Sequence, residues 1–239
     1  MVERALVTGG ARGIGRAISQ SLLEAGIEVT ILDKVAPDFE GACNFIEVDF
    51  EDEVRTIASL QEALQSGAIT RLVNNVGVVK PALLEDSTLE EYYSVMSVNV
   101  RAAILSSKTL LPGMREAGFG RIVNISSRTV LGKALRTNYS ASKGALVSLA
   151  RTWALELADS GITANVVCPG PIRTELYNKA NPPDSPRTIA SLSNIPLGRM
   201  GEPSDIARAV MFFLDTSASF ITGQTLHVCG GTSVGRVDF

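Results

Sequence analysis

Tyr139-Ser140-Ala141-Ser142-Lys143 sets a phenol and a primary amine four residues apart, the spacing that stacks two side chains on one face of a helix. Tyrosine titrates near pH ~10, so a phenolate useful at neutral pH needs a shift of about 3 units, or roughly 4 kcal/mol. One ammonium nearby at intermediate dielectric supplies about that much. The expectation is an acid–base pair in which Lys143 acidifies Tyr139. Alone, this spacing is common on ordinary helices with a solvated Lys beside a packed Tyr. Its company turns the balance: Ser126-Ser127 closing Ile122-Val123-Asn124-Ile125, Asn99 in Ser97-Val98-Asn99-Val100, Asn74-Asn75-Val76-Gly77, Pro169-Gly170-Pro171-Ile172-Arg173-Thr174, and the glycine-rich stretch Thr8-Gly9-Gly10-Ala11-Arg12-Gly13-Ile14-Gly15.

That stretch falls between a strand pattern and a helix pattern. Glycines there permit a tight turn, let backbone approach a pyrophosphate and leave a helix N-terminus facing its charge. The spacing differs from the commoner G-x-G-x-x-G, so the turn needs a second feature to point to a dinucleotide. Asp33, 18 residues beyond Gly15 at the end of the next strand pattern, supplies it, because an acid there can hydrogen-bond ribose hydroxyls. A 2′-phosphate would face that carboxylate at a cost of about 4 kcal/mol for one charge pair at ~4 Å and an effective dielectric of about 20. NAD is therefore expected over NADP. Arg12 pulls the other way, since a guanidinium in the turn can receive a 2′-phosphate, and NADP stays possible.

These groups must be positioned by alternating strands and helices. Strand patterns cover Arg4 to Thr8, Glu28 to Leu32, Phe45 to Val48, Arg71 to Asn74, Arg121 to Ile125, Thr163 to Val167 and Thr225 to Val228. Helical spacing covers Ile14 to Ala25, Val54 to Leu64, one long helix from about Val98 to Ala117, Tyr139 to Leu157 and Pro203 to Leu214. Such alternation predicts an α/β Rossmann-type fold, a doubly wound parallel sheet of about seven strands with helices on both faces, in a single domain spanning residues 1–239. Asn181-Pro182-Pro183-Asp184-Ser185-Pro186 breaks the pattern and is expected to be a long loop or lid over about residues 174–198.

Composition narrows the classes further. With 22 Lys plus Arg against 25 Asp plus Glu, the net charge of −3 and the scattering of the cations argue against nucleic acid and anionic membranes as partners. The early Glu3 and the short apolar run before the glycines leave no room for a secretory signal, and no run of about 18 apolar residues exists, so a cytoplasmic location is expected. Cys43, Cys168 and Cys229 are odd in number and far apart, and read as small buried hydrophobes. No metal is expected. His227, the sole imidazole, has no ligand or triad spacing around it and reads as a strand or interface residue.

With these motifs in this order, the chain resembles the short-chain dehydrogenase/reductase family over essentially its whole length, 3-oxoacyl carrier-protein reductases among its members. The resemblance implies hydride transfer between a nicotinamide and a carbonyl or alcohol carbon. It makes Tyr139 the acid/base, Lys143 its partner on the nicotinamide ribose, Asn99 an organiser of a proton-relay water, and Ser127 the donor to the reacting carbonyl. Ser127 precedes Tyr139 by 12 residues, one fewer than the commonest spacing, and Ser126 is the alternative; the two point to opposite faces of the strand. Gly9, Arg12, Gly13, Ile14 and Gly15 would hold the pyrophosphate, Asp49 and Phe50 would flank the adenine, and Asn75, Val76 and Gly77 would line the adenosine side. Pro169, Gly170, Ile172 and Thr174 would line the nicotinamide side.

The expected activity is oxidation of a secondary alcohol or reduction of a ketone, with a small molecule as substrate. A 3-oxoacyl thioester reductase using NADPH is the rival within the class, and a nucleotide sensor without turnover the rival outside it. Arg128, Lys133 and Arg136 could attract an anionic substrate. Apolar residues on the two long helices, including Leu146, Leu149, Trp153 and Leu157, exceed what one sheet face needs; by resemblance they pair between subunits in a homotetramer, a homodimer being second choice.

Overall fold

The computed structural model describes residues 2–41, 43–182 and 184–234, so that Pro183 of the Pro-rich segment and both chain ends lie outside them. Seven strands form one sheet: β1 (Arg4–Thr8), β2 (Glu28–Asp33), β3 (Cys43–Glu47), β4 (Arg71–Asn74), β5 (Gly120–Ile125), β6 (Ile162–Pro169) and β7 (Thr225–Val228). Every pairing is parallel, in the order β3-β2-β1-β4-β5-β6-β7. β5 and β6 are buried along their whole length, as central strands of a sheet covered on both faces are.

Helices cover both faces. On one, α1 (Gly13–Glu24) and α8 (Pro203–Leu214) pack Ile18, Leu22, Ile206 and Phe213 against Val7, Ile31, Val73 and Val123. On the other, α2 (Glu53–Ala63), α4 (Ala102–Glu116) and α5 (Thr137–Glu156) bring Leu60, Leu110, Met114 and Ala150 onto Leu6, Leu72, Ile122 and Val166. The strand order reverses between β1 and β4, where loops leaving the two strand ends diverge and open a crevice.

Two expectations about elements are corrected. The long helix expected from Val98 begins instead at α3 (Leu89–Met96), whose N-terminus is fixed by a Thr88–Glu91 capping box. It then passes through a π-helical turn, Ser97–Arg101, before α4. The cap was legible as Thr-x-x-Glu; the inserted residue of the π-turn has no sequence signature. The lid expected as loop carries two short helices, α6 (Glu175–Ala180), started by Thr174 accepting from the Tyr177 N–H, and α7 (Pro186–Ser193), with proline at its first position.

A third correction concerns the outward apolar face. Leu146 and Leu157 are buried and Leu149 and Trp153 are partly exposed; the most exposed large apolar positions of the two helices are Leu155 on α5 and Ile104 on α4. Cys168 and Cys229 are buried and Cys43 partly so, all three as free thiols.

Candidate active site

The crevice at the strand-order reversal is a cleft of about 460 Å³, within the range of small-molecule and coenzyme sites. Its floor is the glycine turn. Gly9 and Gly13 adopt positive φ, and a Cβ on Gly9 would come within 2.9 Å of the Val76 Cα. A Cβ on Gly15 would collide with the Gly9 carbonyl. Arg12, the residue before α1, makes no side-chain cap, and the first turn holds no acid, so its N–H groups stay available to an anion. This small-residue cradle at an uncapped helix N-terminus fits the pyrophosphate of a dinucleotide.

Side chains from neighbouring strands lock the cradle. Thr8 Oγ1 accepts from the N–H groups of Asn75 and Val76 at 3.0 and 3.1 Å, and the Asn75 amide donates to the carbonyls of Thr8 and Gly9 at 3.0 and 2.8 Å. Asp33 Oδ2 accepts from the Ala11 N–H at 3.0 Å, tying the end of β2 to the turn. Arg12 lies 3.8 Å from Glu175 on α6, an exposed pair linking cradle to lid. The clamp role of Thr8 and Asn75 has no marker in the sequence beyond their places at the end of β1 and just after β4.

The opposite wall carries the titratable groups. Ser126 and Ser127 both border the cleft but differ in their bonds: Ser126 is buried and its hydroxyl is committed to the Lys143 carbonyl at 2.7 Å, whereas Ser127 is partly exposed and accepts from the Thr129 N–H. Tyr139 and Lys143 sit one turn apart on α5, with the Lys143 Nζ 5.7 Å from the Tyr139 ring centroid. Asn99, held in the π-turn, pairs its amide with both backbone groups of Val78 at 2.8 and 3.0 Å and donates to Ser142 Oγ at 2.9 Å. Ser142 in turn donates to the Tyr139 carbonyl at 2.8 Å, so the π-turn is stitched to the start of α5. Ser142 was readable only as the middle of the Tyr–Lys motif.

The electrostatics differ from the expectation that Lys143 acidifies Tyr139. Burial raises the Tyr139 phenol above its usual value; the hydrogen bond with Ser127 and the charge of Arg136 oppose it without prevailing. Lys143, 2% exposed, is itself pushed down to about 8 by burial, and its Nζ donates to the Ile125 carbonyl at 2.8 Å. Desolvation dominates both groups, and what opposes it comes from other neighbours than the partner: Ser127 and Arg136 at Tyr139, Cys168 at Lys143.

The cleft lining includes Gly9, Arg12, Gly13, Ile14, Gly15, Asp33, Asn75, Val76, Gly77, Ser127, Tyr139, Lys143, Pro169, Gly170, Ile172 and Thr174, together with Ser126, the wall between Ser127 and Tyr139, and residues of the lid. Three expected site residues fall outside that lining. Asn99 stands behind it, its Oδ1 3.3 Å from where a Cβ on Gly77 would lie. Phe50 is buried in the core under β3, and the Asp49 carboxylate turns to Lys34 at 2.8 Å and to the Glu51 N–H at 2.9 Å, which hold it below the usual carboxylate range despite opposing burial. The aromatic ring of Phe50 gains more from burial than from flanking a solvated groove.

A parallel sheet reversing at a glycine cradle, facing a Ser–Tyr–Lys wall, defines a dinucleotide-dependent oxidoreductase. The family model described as "Enoyl-(Acyl carrier protein) reductase" matches residues 9–233. The chain is 38% identical over 239 residues to the 3-oxoacyl-[acyl-carrier-protein] reductase FabG of Vibrio harveyi, covering 95% of this chain and 96% of that one. It is also 38% identical over 241 residues to the acetoacetyl-CoA reductase of Shinella zoogloeoides, covering 97% and 98%. A gluconate 5-dehydrogenase from Burkholderia cenocepacia, solved in complex with NADP and tartrate, superimposes with a TM-score of 0.90 at 31% identity, covering 98% of this chain and 96% of that one. The chain belongs to the short-chain dehydrogenase/reductase family and is an NAD(P)-dependent oxidoreductase of CH–OH and keto groups.

Proposed function

We propose that Tyr139 is the acid–base group, Ser127 the donor to the reacting oxygen and Lys143 the anchor of the nicotinamide ribose in an enzyme that interconverts a small secondary alcohol and its ketone. The observation that carries this reading is the meeting of Ser127, Tyr139 and Lys143 in one cleft with the glycine cradle. When bound, the nicotinamide supplies or accepts the hydride. In reduction the phenol, kept protonated by burial, donates its proton to the oxygen of the ketone while Ser127 hydrogen-bonds that oxygen. In oxidation Tyr139 takes the proton of the alcohol, and the charge of Arg136 and the bond from Ser127 favour the phenolate. Lys143, with a pKa of about 8, is mostly protonated at neutral pH and retains N–H donors for ribose hydroxyls beyond the one given to Ile125. Asn99 is a positioning residue: through Val78 and Ser142 it fixes the turn of α5 that carries Tyr139.

NAD is the preferred coenzyme in this reading, because Asp33 lines the cleft at the adenosine side. NADP use is the second reading, favoured by Arg12 in the cradle and by the NADP held in the Burkholderia cenocepacia gluconate 5-dehydrogenase; with it would go 3-oxoacyl thioester reduction, named in the two relatives. The assembly is proposed as a homotetramer in the first instance and a homodimer in the second. Exposed Ile104 and Leu155 on α4 and α5, and Phe220 and Leu226 around β7, support two separate contacts. Three unpaired thiols suit a reducing compartment, the cytoplasm. Among the described residues no helix is long and apolar enough to cross a membrane.

Tyr139→Phe tests the central assignment. Turnover should fall by about 10²–10⁴ with coenzyme affinity preserved. A variant retaining most of its rate overturns the assignment.

A further inference from the structure

The end of the cleft away from the glycine cradle is cationic in a chain whose net charge is −3. Arg128, Lys133, Arg136 and Lys179 line it, whereas the acids among the described lining residues are Asp33, occupied at the cradle with the Ala11 N–H, and Glu175, beside Arg12. Two of these cations converge on one atom: Asn181 Oδ1 accepts from Lys133 Nζ at 2.9 Å and from Arg136 Nη2 at 3.5 Å. Arg136 is buried, so its charge is weakly screened, and it follows Leu135, the non-glycine residue held at positive φ among those described. It also donates to the Ala180 carbonyl on α6, joining wall to lid. The Tyr177 hydroxyl, on that lid helix, is buried with no hydrogen-bond partner among the described residues. An ammonium and a guanidinium drawn to one oxygen form a cluster of charged donors of the kind a carboxylate fits, and the orphaned phenol adds a donor that burial has already stripped of water.

We propose that this cluster is an anion subsite, in which Lys133 and Arg136 take the carboxylate of a small hydroxy- or oxo-acid substrate whose other end reaches Tyr139. The proposal rests on the oxidoreductase reading above. Arg136 lies three residues before Tyr139, close enough for its charge to act on the phenol, so the anion it binds belongs near the reacting carbon. In an acyl thioester the nearest phosphate is a long pantetheine arm away from that carbon, which favours a carboxylate on the substrate itself.

Binding to the full chain loaded with oxidised coenzyme tests this without turnover. Calorimetric titration with 2-oxobutanoate and with 4-oxopentanoate, each against its methyl ester, should give at least one acid binding tenfold or more tightly than its ester. Lys133→Ala should reduce that acid-to-ester ratio about tenfold, and Lys108→Ala, which removes an exposed cation of α4, should leave it unchanged. Acids that bind no better than their esters overturn the proposal, as does a ratio equally sensitive to both variants. Acetoacetyl-CoA losing affinity in Lys133→Ala as strongly as the acids would place a phosphate at the cluster and also overturn it. The Tyr139→Phe assay separates the two claims: its failure removes the chemistry, whereas failure of the acid preference with Tyr139 still essential removes only the subsite.

Discussion

Replacing Asp33 by asparagine isolates its charge from its hydrogen bond. In the native chain Oδ2 accepts from the Ala11 N–H at 3.0 Å and Oδ1 from the Val35 N–H at 3.4 Å. Asparagine keeps one carbonyl oxygen, enough for the shorter bond, so Asp33→Asn should preserve the glycine turn. What it removes is the repulsion of a 2′-phosphate. One pair of unit charges at ~4 Å is worth about 4 kcal/mol at a dielectric of about 20 but about 1 kcal/mol at a dielectric of about 80. Asp33 is partly open to solvent, which puts the effective value near the lower end, while the phosphate carries about −1.5 to −2 charges. The net effect is roughly 1–2 kcal/mol, or about a 5- to 30-fold shift toward NADP in the ratio of kcat/KM values for the two coenzymes. Asp33→Ala should add a loss that both coenzymes share, visible as a lowered Tm, because the Ala11 N–H then loses its acceptor. Steady-state kinetics with NAD and NADP on both variants, with melting curves alongside, read these effects separately. A ratio within twofold of the native value in an undamaged Asp33→Asn protein refutes the reasoning and shifts the discrimination to Arg12.

The two serines leaving β5 should separate cleanly. Ser127→Ala should lower kcat by about 10²–10³, as expected for loss of a donor to the reacting oxygen. Ser126→Ala should instead cost about 1 kcal/mol of stability, read in denaturant melts, through its buried bond to the Lys143 carbonyl, with kcat little changed; the reverse pattern would exchange their roles. The buried amine gives a pH signature. Lys143 titrates at about 8 in the folded chain against 10.5 for a solvated lysine, so below pH 8 the folded state carries the full cost of its charge, roughly 3 kcal/mol. Between pH 8 and 10.5 the unfolded chain binds the extra proton, and that cost is progressively relieved as pH rises. The stability of the native protein relative to Lys143→Met should therefore climb across that window; a flat difference from about pH 7 to 10.5 would mean that burial does not depress the amine.

Features that depend on neighbours along the chain were legible in the order of residues. The period of the apolar positions dictates alternating strands and helices, and with them the parallel sheet. Four-residue spacing on a helix puts Tyr139 and Lys143 side by side, and the glycines between β1 and α1 mark the cradle. Features that depend on groups distant in sequence emerged with the packed fold. Burial beneath several elements, not spacing, lowers Lys143 and raises Tyr139, reversing the simple expectation for an adjacent pair. Packing drew Phe50 into the core and turned Asp49 to Lys34, away from the cleft. The π-turn that seats Asn99 and the Asn181 oxygen that gathers Lys133 and Arg136 arise from contacts across 43 to 48 residues, the longest between wall and lid. Local spacing carries the geometry of one element, while desolvation and convergent charge exist only once elements far apart in the chain exclude water from the same volume.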